Sequence, residues 1–228
     1  MSAAPVTIVF GAGTATGAAA ATLLAQAGSR LVLGGGAAAA AQAARLAGAG
    51  HDVWFVGADL QRPQEVEQLV ARAVQRYGHV SGLYCHVEPA LDGDGALLNI
   101  DPARFRQLIE QNLRGLFYAV KYALPQLALH AGALVVSAGP LAAPAAASAY
   151  ECSVAALATF IKCVAYQYGP QGVRANAIVP RAPVALAGLA GDADAAARLA
   201  LFLLSDDASF ITGAALPVGG AAPSPWPG

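Results

Sequence analysis

Short apolar runs alternate with longer segments of helical period along almost the whole chain. The runs at 6–10, 30–34, 51–56, 80–86, 133–137, 173–179 and 214–218 have the continuous apolar form of strands buried on both faces. Between them lie segments that predict helices at 18–27, 37–46, 64–77, 102–129, 148–168 and 192–204. The helix at 64–77 is the clearest: Val66, Leu69, Val70, Ala73 and Val74 form one apolar stripe. Pro102 fits a first turn, and Pro125 is a place where the axis of the long helix can bend. Strands separated by helices call for right-handed crossovers. The expected architecture is therefore a doubly wound, parallel, seven-stranded α/β sheet of Rossmann-like form, in strand order 3-2-1-4-5-6-7.

The first strand runs directly into Gly11-Ala12-Gly13-Thr14-Ala15-Thr16-Gly17 and then an alanine-rich helix. Glycines at this junction let the backbone turn sharply and approach a ligand, while the new helix end offers N–H groups and a positive dipole to a phosphate. A dinucleotide site is one reading, and a ligand-free glycine turn is the other. In open sheets of this order, ligands lie beyond the carboxyl ends of the strands where strand one meets strand four. That gathers Gly11 to Gly17, Asp59, Cys85 to Glu88, Ser137 and Pro180 around one crevice.

Composition narrows the setting. At 228 residues the chain suits one domain, 1–228, with a loose proline-rich tail at 222–228. The hydrophobic fraction of 57% is largely alanine, which favours helix and tight packing over a membrane. The uncharged first 29 residues lack the basic start and unbroken apolar run of a signal peptide. Residues 131–150 are also uncharged, but Gly139, Pro140 and Pro144 make a poor membrane helix. A net charge of −1 with scattered basic residues gives no nucleic-acid footprint, so a small molecule is the expected partner. Cys85, Cys152 and Cys163 have neither metal nor disulfide spacing, which fits a reducing cytoplasm and no metal site.

Taken together, these features resemble the short-chain dehydrogenases/reductases over nearly the whole chain. The resemblance rests on the glycine turn, Asp59 after strand three, Asn112 in Glu110-Gln111-Asn112-Leu113-Arg114-Gly115, and Ser137 followed thirteen residues later by Tyr150. It extends to the stretch from Gly172 to Pro180 and, most specifically, to that from Leu201 to Gly213. It implies hydride transfer between NAD or NADP and a carbonyl or hydroxyl carbon. Tyr150 would be the general acid or base, Ser137 the holder of the substrate oxygen and Asn112 part of a proton relay. Gly11, Gly13, Thr14, Gly17, Asp59 and Pro180 would hold the cofactor. The two long helices would form the contact of a homodimer or homotetramer, and their apolar residues on more than one side agree.

The departures bear on chemistry. The lysine expected four residues after the tyrosine is Val154, and an unperturbed tyrosine is only about 0.1% phenolate at pH 7. Alcohol oxidation should therefore suffer more than carbonyl reduction, and the cofactor loses a ribose contact. Lys162 cannot substitute, lying about 18 Å further along the same helix. Ala15 replaces the middle turn glycine, Cys85-His86-Val87-Glu88 replaces an Asn-Asn-Ala-Gly run, and Gly34-Gly35-Gly36 leaves no residue to choose between NAD and NADP. Arg181 follows Pro180 where a glycine is usual, and the substrate loop after it is short. His86 could act as an acid or base, or be the satisfied partner of Glu88. A metal at Cys85, His86 and Glu88 is disfavoured because neighbouring strand residues face opposite ways. Asp59 could cap a turn, bind adenine, or both. The leading reading is reduction of a small carbonyl compound; the alternatives are a non-redox enzyme on this fold and a catalytically inactive binding or oligomer partner.

Overall fold

The computed structural model describes residues 4–88, 94, 96–139, 148–180 and 193–218. Seven parallel strands, β1 (Val6–Phe10), β2 (Arg30–Gly35), β3 (Val53–Gly57), β4 (Gly82–Val87), β5 (Ala133–Ala138), β6 (Arg174–Pro180) and β7 (Ala215–Val218), form one sheet in the order β3-β2-β1-β4-β5-β6-β7. Six helices connect them: α1 (Ala15–Gln26), α2 (Ala37–Gly48), α3 (Pro63–Tyr77), α4 (Pro102–Leu129), α5 (Ser148–Tyr168) and α6 (Ala193–Leu204). The order and the parallel pairing match the sequence expectation, with element ends shifted by up to three residues. The largest shift is at α1, which begins at Ala15 because Thr14 caps it. The substrate loop beyond Pro180 and the tail 222–228 lie outside the described residues.

The alternation of side chains along each strand divides the core in two. On one face, Ile8, Phe10, Leu83, Cys85, Leu134 and Val136 pack under α3, α4 and α5. On the other, Val9, Leu31, Leu33, Tyr84 and Val135 pack under α1, α2 and α6. Each fully buried aliphatic side chain contributes about 1.5–3 kcal/mol. An exposed ion pair such as Arg30–Asp52, 3.6 Å apart, contributes at most about 1 kcal/mol. The two apolar layers therefore carry the fold. Alanine in α1 serves the second layer directly, since small side chains let α1 lie close against α6.

Local signals fix the helix ends. Asp101 accepts from the N–H groups of Ala103 and Arg104 at 2.9 and 3.0 Å, starting α4 just ahead of Pro102. The helix continues through Pro125. Gly78, in the left-handed region at φ 83°, ends α3. Among the described residues one helical segment, Ala149–Gln171, is long and apolar enough to cross a membrane. Its buried side, including Tyr150, Leu157, Ile161 and Val164, is spent on the sheet.

Candidate active site

β1 ends at a turn built from backbone. Gly11 has φ 86°, and a methyl there would stand 2.6 Å from the His86 carbonyl oxygen on β4. A methyl on Gly17 would overlap the Gly11 carbonyl, so α1 can cross the end of β1 only without a side chain at that point. Thr14 Oγ1 donates to the Gly11 carbonyl at 2.9 Å and accepts from the Gly17 N–H at 3.0 Å. Thr14 thus shapes the turn and caps the helix at once. Gly13 is exposed at its tip, against Ala38 of α2.

Beside this turn lies a cleft of about 500 Å³ formed by Phe10, Gly11, Gly34 to Gly36, Ala58 to Leu60 and Glu65. A methyl at Gly34 would run into the Phe10 ring, so the end of β2 contributes main chain alone at that position. Asp59 Oδ1 accepts from the Gln61 N–H at 2.8 Å, which is the turn-capping role, and the Asp59 N–H donates to Glu65 Oε2 at 2.9 Å. A glycine-walled cleft next to the N-terminus of α1 fits the flat adenosine and the diphosphate of a dinucleotide. Pro180 closes β6, paired with Val218.

Across the crevice the side chains matter. Tyr150 is 1% exposed and packs with Ala138, Val154, Val87 and Val179. Its hydroxyl donates to the Gly139 carbonyl at 2.7 Å. Burial pushes its pKa upward, and the carboxylates of Glu88 and Glu151 push it further the same way. Val154 supplies apolar contact where a cation would have acted in the opposite sense. Asp94 holds the start of α5 in place, accepting from the N–H groups of Ala149 and Tyr150 at 3.1 and 2.9 Å.

Ser137 lies near the end of β5. It follows Val135 on the face of α1 and α6, whereas Ala138 shares the face of Tyr150. The Ser137 hydroxyl is fully buried, 2.6 Å from Tyr84 Oη and 2.7 Å from His86 Nδ1. His86 Nε2 lies 3.0 Å from Glu88 Oε1. A carboxylate only accepts, so Nε2 carries the hydrogen. Among the described residues the Ser137 hydroxyl is bonded to Tyr84 and His86 and the Tyr150 hydroxyl to the Gly139 carbonyl. Moving one position along a strand changes the face. Asn112 is buried in α4 and donates to Ser153 Oγ at 2.8 Å, and Ser153 donates to the Tyr150 carbonyl at 2.7 Å. Asn112 thus braces the helix turn that carries Tyr150.

Glu65, Tyr84, Asp94 and Ser153 were not singled out by the sequence reading. The Tyr84-Cys85-His86-Val87-Glu88 stretch does carry a signal, since three polar-tipped residues at alternate positions share one strand face. The His86–Glu88 pairing agrees with the satisfied-partner alternative. Among the described residues no group of three or more His, Cys, Asp or Glu side chains could hold a metal.

Sheet order, glycine turn and cleft define a Rossmann-like domain with a dinucleotide site. A family model described as enoyl-(acyl carrier protein) reductase matches residues 11–187. The cis-4-hydroxycyclohexanecarboxylate dehydrogenase of Sinomonas cyclohexanicum is 34% identical over 94% of this chain and 95% of its own. The cyclohexanol dehydrogenase of Acinetobacter sp. (strain SE19) is 26% identical over 95% of this chain and 94% of its own. A solved 3-ketoacyl-ACP reductase from Sinorhizobium meliloti 1021 superposes with a TM-score of 0.82 at 25% identity, covering 93% of this chain and 96% of the other. The chain belongs to the short-chain dehydrogenase/reductase family. Its cofactor class is NAD or NADP.

Proposed function

We propose that the protein reduces the carbonyl of a small alicyclic ketone, with Tyr150 as proton donor. The observation that carries this reading is the setting of Tyr150: packed among Ala138, Val87, Val154 and Val179, with its hydroxyl donating to the Gly139 carbonyl, it is buried in surroundings that favour the protonated phenol. Such a group can give a proton but is poorly suited to take one. The nicotinamide, when bound, supplies the hydride to the carbonyl carbon. The Tyr150 O–H then turns from the Gly139 carbonyl to the substrate oxygen and delivers its proton there, since the nascent alkoxide is far more basic than a phenolate. Asn112, through Ser153, keeps the first turns of α5 in register for that transfer. Ser137 supports β4 from the opposite sheet face instead of holding the substrate oxygen.

The substrate class draws support from two relatives whose names carry a cyclohexane ring with a hydroxyl function. Gly11, Gly13, Thr14, Gly17 and Asp59 hold the adenosine and diphosphate end, and Pro180 borders the nicotinamide end. Assembly as a homodimer or homotetramer in the cytoplasm, through α4 and α5, completes the reading. Phe117 and Tyr166, 45% and 87% exposed, lie on those helices. The test is titration with NADH and NADPH by fluorescence, followed by loss of nicotinamide absorbance with cyclohexanone and its carboxylated analogues. Binding of either cofactor below about 1 mM and turnover of a ring ketone are expected. Absence of any binding overturns the reading, and binding without turnover on the whole panel favours an inactive partner.

A further inference from the structure

A dinucleotide has two riboses, and the second, next to the nicotinamide, lies between the diphosphate and the reacting carbon. Val154 offers it nothing polar. We propose that Glu88, held by His86, binds the hydroxyls of that second ribose. This rests on the dinucleotide reading of the cleft above.

Position argues first. The Gly11 turn, where the diphosphate belongs, abuts the main chain of His86, since a methyl on Gly11 would touch the His86 carbonyl at 2.6 Å. Glu88 stands two residues further along the same strand end, about 7 Å onward. On its other side, the preceding residue Val87 packs with Tyr150, and the Val87 carbonyl accepts at 2.8 Å from the N–H of Gly139, the residue whose own carbonyl holds the Tyr150 hydroxyl. The segment of crevice between phosphate turn and proton donor is therefore where Glu88 sits. Its side chain is 43% exposed while that of His86 is fully buried, so the carboxylate is the part of the pair open to a ligand.

Chemistry argues next. A vicinal diol presents two O–H donors, and a carboxylate presents two oxygens with about four acceptor sites. One acceptor site on Oε1 is taken by His86 Nε2 at 3.0 Å, which leaves the others for the sugar. That hydrogen bond also keeps the Glu88 carboxyl ionised, below the usual carboxylate range. The orientation is fixed from beneath. Tyr84, Ser137, His86 and Glu88 are joined in one chain by links of 2.6, 2.7 and 3.0 Å, and His86 Nε2 donates to the carboxylate at its end. Satisfied buried polar networks of this kind rigidify the side chains that form them. Tyr84, Ser137 and His86 are then positioning residues, and Glu88 is the group that touches cofactor. The titratable groups around the pair are Tyr84 and Cys85 on β4 and Tyr150 on α5.

A carboxylate in this role also favours a protonated Tyr150, which matches an enzyme used for reduction. The proposal is tested by calorimetry with ADP and ADP-ribose, which differ by the second ribose and contain no nicotinamide. For the unaltered protein, ADP-ribose should bind about tenfold tighter than ADP. In Glu88→Ala that ratio should fall to about twofold or less with ADP affinity unchanged, and Glu88→Gln should fall between. His86→Gln, which loosens the support, should lower the ratio about threefold. A ratio that persists in Glu88→Ala, or that is near one in the unaltered protein while ADP binds, overturns the proposal and leaves the dinucleotide site standing. Failure of the unaltered protein to bind ADP, ADP-ribose and NADH overturns both.

Discussion

In the half of the cleft formed by β1, α1, β2 and β3, the walls are main chain: Gly11, Gly17 and Gly34 leave no room for a side chain, and Thr14 and Asp59 spend their oxygens on nearby N–H groups. At the ends of β4 and β5 and the start of α5, beyond that cleft, the structure is built instead from side chains that satisfy one another: Tyr84 with Ser137, His86 with Glu88, and Tyr150 with Val154 and the Gly139 carbonyl. The first kind of site is set by backbone geometry, so it stands or falls with the fold. The second can be rewritten one residue at a time while the sheet remains. A single chain can therefore keep the cofactor half of its family's site and remodel the chemical half.

The sharpest way to break this contrast is Gly17→Ala. The added methyl meets the Gly11 carbonyl, and neither backbone can move without pulling α1 off β1. We expect a loss of about 3 kcal/mol in denaturant unfolding, together with loss of NADH binding. Unchanged stability would mean that the turn is less constrained than its geometry states. Next in size is Tyr150→Phe. Removing the proton donor should lower kcat for ketone reduction about 100-fold, the lower range of general acid contributions. The lost bond to Gly139 costs about 1 kcal/mol of stability, and NADH affinity should not move. A kcat that stays within about threefold would move the proton transfer elsewhere.

The same contrast explains what the sequence made legible. Strand and helix periods, the glycine turn and the strand order were readable because each follows from local pattern and backbone sterics. The Asp59 turn cap and the His86–Glu88 pair were readable as alternatives, since both partners lie within a few residues. The partners of Ser137 were not readable, because a spacing along the chain says nothing about which sheet face a strand residue takes. That face depends on where the flanking Val135 and Ala138 pack. Asp94 capping α5 from 55 residues upstream of Ala149, and Ser153 joining Asn112 across 41 residues, are long-range side-chain pairings that no local pattern encodes. Val154 was legible as a missing cation. Its consequence, a Tyr150 enclosed by apolar side chains with its hydroxyl on the Gly139 carbonyl, needed three dimensions.

Restoring the cation sharpens the comparison from the chemical side. Val154 is 7% exposed among Ala138, Tyr150, Val87 and Val179, so Val154→Lys sets an ammonium in apolar surroundings. A cost of about 1–3 kcal/mol is expected in denaturant unfolding. The new charge should draw the Tyr150 pKa downward, so that oxidation of a ring alcohol becomes measurable and rises with pH. If neither alcohol oxidation nor cofactor affinity changes, the missing lysine is not what biases this site.

The smallest expected effect separates burial from chemistry. Cys85, Tyr84 and Tyr150 are buried as neutral groups, and desolvation raises all three pKa values. For a group whose folded pKa exceeds its unfolded value, stability is complete below the unfolded pKa. It declines once the unfolded chain begins to lose the proton, because the folded chain then binds more protons than the unfolded one. Cys85, with an ordinary value of 9.0, enters first, and the two tyrosines follow from 10.0. Raising pH from 7 to about 9.5 should therefore cost about 1 kcal/mol, most of it from Cys85. Cys85→Ala should flatten that slope in urea midpoints measured across the range, whatever its own fixed cost in packing. A slope left intact would place the alkaline sensitivity on groups other than Cys85, the buried tyrosines Tyr84 and Tyr150 among them.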